Sequence, residues 1–241
     1  VNRLSLTSDP WKWVKNRTLP LLVALIAMIA LHPLLLDEFG DADRVFPIAL
    51  ALVPMLGVVI LGGWWRALPL VVMFVVLVGV AIGGYRGDEE AIARSPLELL
   101  AFLYYLYATA TIGMTLLRST ALLDDRVYGG IAVYLLSACM FATLHRHVSA
   151  LNADAYWSTI ESKPMRLDWD DALYYSMISL TTVGFGDIAP RSAWARAVTM
   201  VECATGLFVT VALIARLASS APASKQAHAP QQHHADGPPR A

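Results

Sequence analysis

Charge is scarce in this sequence. Asp, Glu, Lys and Arg make up 15% of its 241 residues, against roughly 25% in ordinary soluble domains. A chain this long with so little charge does not read as a soluble fold with a fully solvated surface. A nucleic-acid interface is excluded as well, because the 18 Lys and Arg form no basic tract and no readable nucleic-acid motif accompanies them. Cysteine is nearly absent. Cys139 and Cys203 both lie inside apolar blocks, where they read as small buried residues rather than as a disulfide.

What replaces charge is apolar surface, 57% of the chain. It falls in separated blocks near ~20 residues, the length that crosses about 30 Å of hydrocarbon. The pattern predicts an all-α integral membrane protein with six transmembrane helices, at 19–36, 45–61, 67–82, 97–117, 127–147 and 194–217. Pro20 and Pro96 stand near helix starts, where a missing N–H is tolerated. Lys12, Lys15 and Arg17 ahead of the first block superficially suggest a signal peptide, but no small-residue cleavage pattern follows, so a retained first span is expected.

The same blocks divide the chain. Residues 1–18 read as an amphipathic arm whose Trp11, Lys12, Trp13 and Lys15 suit a headgroup interface. Residues 19–118 form a four-helix module, 119–126 a linker, and 220–241 a disordered tail rich in Ala, Pro, Gln and His. Four basic residues, Arg3, Lys12, Lys15 and Arg17, precede the first block and only Arg44 follows it closely. With six spans, this bias places both termini in the cytoplasm. His145, Arg146 and His147 then end the fifth span at the outer surface; histidines two apart do not share a helix face, which argues against a metal site there.

One stretch carries chemistry. In 168–190, DWDDALYYSMISLTTVGFGDIAP, an apolar run leads into Thr181 and Thr182, then Val183-Gly184-Phe185-Gly186-Asp187. This resembles the pore helix and selectivity filter of the potassium channel family, whose signature is T-V-G-Y-G-D or T-V-G-F-G-D. The resemblance covers 127–217 most securely and is most specific in 181–187. It implies a pore domain over 127–219, with a re-entrant pore helix and filter loop between the fifth and sixth helices. It also implies a homotetramer in the cell membrane that conducts dehydrated K+ and does no covalent chemistry.

Carried onto these residues, the resemblance makes Thr182, Val183, Gly184, Phe185 and Gly186 the ion-binding loop. The carbonyls of Thr182, Val183, Gly184 and Phe185 would replace the water of K+. Gly184 and Gly186 supply unusual dihedrals. Phe185 stands where tyrosine is commoner and lacks its hydroxyl, leaving the loop freer to rearrange. Tyr174, Tyr175, Ile178, Thr181, Asp187 and Glu202 are expected to support the loop. Because Ile178 occupies a place where some relatives have glutamate, a bond from Tyr174 to Asp187 is expected in place of a carboxyl pair. Glu202 is an acid deep within an apolar block, a functional candidate by default. Gly206 has two readings, a hinge or a point of close packing. Thr210 and Ile214, one and two turns beyond it, are gate candidates. The fourth block has none of the regularly spaced arginines of voltage-gated relatives, so the front helices read as a scaffold or an unconventional sensor. A potassium-coupled secondary transporter and a non-conducting regulatory subunit are the alternatives. A single filter-like loop without an internal repeat disfavours the first, and an intact filter string the second.

Overall fold

The computed structural model describes residues 18–38, 42–83, 90–118 and 123–220. All of the proposed arm but Thr18, half of the linker (119–122) and the tail from 221 on lie outside the described residues. Among the described residues, seven helices and three short strands run in the order α1 (Leu19–Glu38), α2 (Ala42–Gly62), α3 (Trp64–Gly83), α4 (Glu90–Arg118), α5 (Leu123–Leu151), β1 (Tyr156–Ser158), β2 (Lys163–Met165), α6 (Trp169–Leu180), β3 (Ile188–Pro190) and α7 (Ala193–Ser220).

This corrects the expected architecture. Among the described residues, only Ser95–Leu117, Asp125–Leu151 and Ala193–Ala215 are helical stretches long and apolar enough to cross a membrane. The apolar stretches of the first three helices, Leu19–Leu31, Phe46–Leu61 and Trp64–Val80, are only 10–17 residues long. At 1.5 Å per residue they reach at most about 26 Å, short of the ~30 Å hydrocarbon core. The all-α subunit of six transmembrane helices with a re-entrant pore helix is therefore not what the described residues form. The described residues make three membrane-length helices, four others and a small open sheet. Hydropathy alone admits blocks shorter than a full span, and it carries the first of them past His32-Pro33. Three membrane-length apolar helices make the chain an integral membrane protein.

α5 is the shared element. α1, α4, α6 and α7 all pack on it. Its inner face is built from small and mid-sized side chains, Ala132, Leu136, Ala138, Cys139 and Ala142, each with no exposure. Small residues let neighbouring helices approach closely where lipid supplies no hydrophobic drive. Hydroxyls then tie the helices together. Thr18 caps α1 onto α5, its backbone N donating to Asp125 Oδ1 at 2.8 Å. The α4 tyrosines reach backbone carbonyls, Tyr104 to Ala51 on α2 and Tyr107 to Arg66 on α3. Arg146 on α5 pairs with Glu98 on α4 at 3.0 Å.

The strands form an antiparallel sheet in the order β2-β1-β3. Pairing of Tyr156 with Pro190 and of Ser158 with Ile188 binds the segment after α5 to the segment before α7. Three-residue strands carry almost no alternation, so no period marks them in the sequence.

α6 is short and sits between α5 and α7. Asp168 caps its start, accepting from Asp171 N at 2.9 Å. Its last turn meets α7 at Gly206, where a Cβ would lie 2.1 Å from Leu180 O. Only glycine permits this approach. Gly206→Ala is expected to push α7 off α6 and lower stability by about 1–3 kcal/mol, the usual cost of overpacking. Thermal unfolding in detergent checks this, and an unchanged melting temperature would show that the contact is not tight.

Candidate functional site

The site is the loop that leaves α6. A helix ends with carbonyls that lack intrahelical partners, and here each has found one. Met177 O accepts from Thr181 N at 3.1 Å and from the Thr181 hydroxyl at 2.6 Å. Ser179 O accepts from Thr182 N at 3.0 Å and from Cys203 Sγ at 3.4 Å. Ile178 O accepts from both Val183 N, 2.9 Å, and Gly184 N, 3.1 Å. Leu180 O accepts from Tyr134 Oη on α5 at 2.9 Å. The chain thus turns sharply back onto the helix end, and the loop starts from a fixed point.

Within the loop, handedness alternates. Thr182, Gly184 and Gly186 have positive φ of 60°, 52° and 80°, while Val183 and Phe185 do not. For Thr182 this region is disfavoured by its Cβ, so the surrounding bonds must hold it there. Nothing lies within 4 Å of where a Cβ would stand on Gly184 or Gly186. Val183 is 55% exposed and Phe185 71%.

The far end is tied twice. Tyr174 Oη donates to Asp187 Oδ2 at 2.7 Å, and the Asp187 carboxylate raises the phenol's pKa by holding its proton. Asp187 Oδ1 also accepts from Ile188 N at 3.0 Å. From the other side, Thr159 donates its hydroxyl to Gly186 O and its backbone N to Asp187 O, both at 2.8 Å. Sequence reasoning does not find Thr159. It lies just after β1 in a stretch with no motif, and only the strand pairing brings it to the loop.

Tyr175 is buried and its hydroxyl pairs with Thr199 Oγ1 on α7 at 2.8 Å. Glu202 is fully buried behind α6, with Oε2 2.8 Å from His145 Nε2 and Oε1 against Ser176 Oγ. His145 Nδ1 lies 2.7 Å from Tyr156 Oη. His145 is therefore not a surface residue at the end of a span. α5 continues to Leu151, and His145 has no exposure. Ending the helix at 147 hides a signal that is present, an ionisable side chain within an apolar helix. His147 faces α4, with Nδ1 2.8 Å from Ser95 O. Among the described residues no three His, Cys, Asp or Glu side chains gather to hold a metal. Thr210 Oγ1 donates to Gly206 O at 2.9 Å, and Ile214 is exposed. Both lie further along α7; Ile214 is about 12 Å past Gly206 at the helical rise.

Acids surround the entrance to α6. Burial, reinforced by Asp168, Asp170, Glu161 and Asp187, pushes the Asp171 carboxyl up to about 6. The fold thus favours its protonated form. The associated stability is present below the ordinary value of 3.8 and gone once pH has risen through about 6. Asp171→Asn is expected to remove this component from the pH dependence of thermal unfolding. A variant whose profile still falls across that window would assign the titration to another group.

A family model described as "Ion channel" matches residues 130–221. Two-pore potassium channel 5 of Arabidopsis thaliana is 37% identical over 65 residues, 27% of this chain. That stretch covers 14% of the plant protein's length. No solved structure matches. The comparisons support a general kinship with potassium channels, a channel-like role in a membrane, and transport rather than catalysis.

Proposed function

We propose that the chain is a subunit of a potassium-selective channel and that residues 182–186 form its ion path. The alternation of positive φ at Thr182, Gly184 and Gly186 carries this reading. Alternating handedness turns successive carbonyls to one side, the arrangement that replaces the water around K+. Thr182, Val183, Gly184 and Phe185 supply the carbonyls, and the Thr182 hydroxyl completes the innermost position. Potassium is the cargo, and it moves passively.

One chain cannot encircle an ion. Val183 and Phe185 leave apolar surface exposed beside the loop, and α7 exposes Met200, Leu207, Phe208, Val211 and Ile214. A homotetramer accounts for these surfaces by placing four copies of the loop around one axis. The pore module is 127–219. The helices of 19–118 act as a scaffold, with 119–126 as linker, 1–18 as an interfacial arm and 220–241 as a tail. Arg3, Lys12, Lys15 and Arg17 before α1, and Arg216 near the end of α7, favour cytoplasmic termini in the cell membrane. Tyr174, Tyr175, Ile178, Thr181, Asp187 and Glu202 hold the loop. Gly206 serves close packing, while Thr210 and Ile214 line the path below.

Flux from purified protein in liposomes tests this. K+ efflux is expected to exceed Na+ efflux, and Gly184→Ala, which forces a side chain onto a left-handed residue, is expected to abolish it. Absence of K+ flux across a voltage and pH series, or equal passage of Na+, would overturn the reading.

A further inference from the structure

Four fully or almost fully buried side chains behind α6 form a continuous chain of polar contacts: Tyr156 of β1, His145 of α5, Glu202 of α7 and Ser176 of α6. The chain ends on a backbone carbonyl, Ala138 O of α5, 2.8 Å from Ser176 Oγ. The contacts are Tyr156–His145, His145–Glu202, Glu202–Ser176 and Ser176–Ala138. Every helix that positions the loop contributes to it.

Proton counting fixes how such a chain is satisfied. A carbonyl oxygen only accepts, so the single Ser176 proton must go to Ala138 O. The contact between Ser176 and Glu202 Oε1 then needs a proton from the carboxyl. With Oε1 protonated, Oε2 accepts from His145 Nε2–H. A neutral imidazole with its proton on Nε2 has a bare Nδ1, which accepts from the Tyr156 hydroxyl. Four contacts are thereby served by four protons, all pointing one way, with no net charge. The ion-pair alternative holds the same number of protons but places two on His145 and none on Glu202. Ser176 then has two acceptors for one proton, and Tyr156 must find another acceptor. It also places two charges where neither side chain has any exposure, which is costly. The other titratable groups facing the pair are Tyr134 of α5, Tyr175 of α6 and Cys203 of α7. None of these carries a charge that would stabilise an ion pair.

We infer that Glu202 is a protonated positioning residue and that its proton completes a neutral clasp holding α6 between α5 and α7. Removing the proton reverses the bond to Ser176, which must abandon Ala138 O to serve the carboxylate. α6 is then released from α5 at mid-length, directly before the turn that starts the loop. The clasp makes the loop sensitive to alkaline pH; this consequence for conduction rests on the channel reading, whereas the protonation of Glu202 does not.

Infrared spectra of the purified full chain in lipid, taken against Glu202→Gln, test the inference. The wild type is expected to show a protonated-carboxyl carbonyl band at neutral pH that the variant lacks. Its absence would show that Glu202 is ionised and overturn the clasp. The amide that Glu202→Gln introduces can accept from His145 and donate to Ser176, so it preserves every contact of the neutral form. This variant is expected to keep the wild-type melting temperature at neutral pH and to lose its alkaline fall. Glu202→Ala is expected to lose stability. A Glu202→Gln protein that fails as badly as Glu202→Ala would contradict the inference. A band without any K+ flux would sink the channel reading alone.

Discussion

The structure depends on how the last turn of α6 is held. Its terminal carbonyls are satisfied by the loop's own N–H groups, by Tyr134 of α5 and by Cys203 of α7. This commits the N–H groups of Thr182, Val183 and Gly184 to the helix end and fixes where the loop starts. α7 presents Thr199, Glu202, Cys203 and Gly206 to α6. Their spacing of three and four residues keeps them on one helical face. Glycine is needed at the closest point, and the polar residues lock the two helices in register.

The sheet serves the same end from the opposite side. β1 pairs with β3 and brings Thr159 under Gly186 and Asp187, while Tyr174 holds the Asp187 carboxylate from α6. The loop is thus fixed at both ends and open between them. That is the condition for a backbone that must keep an unfavourable left-handed threonine and still offer its carbonyls to a passing ion. The buried contacts through His145 and Glu202 act one layer back and set where α6 lies.

The loop and its immediate supports were legible because their chemistry is local. Thr181 to Asp187 are contiguous, and Tyr174 lies near enough in the chain for its bond to Asp187 to be looked for in advance. Glu202 was visible as an acid in an apolar run. What escaped depends on distance in sequence. His145, Ser176 and Tyr156 acquire meaning only once four elements meet, and Thr159 only once β1 pairs with β3. The number of spans was misread for a different reason. Hydropathy identifies apolar blocks, but crossing a bilayer requires a helix that stays apolar over a full span, and among the described residues the apolar stretches of the first three helices are only 10–17 residues long.

The central claim is that the loop of residues 182–186 surrounds an ion jointly with copies of itself. Electron cryomicroscopy of the full chain in lipid nanodiscs with K+ tests it most directly. The account predicts four chains with Thr182, Val183, Gly184 and Phe185 carbonyls facing one axis, and density for ions along that axis. A monomer, or an assembly whose loops face lipid or turn away from the symmetry axis, would contradict it.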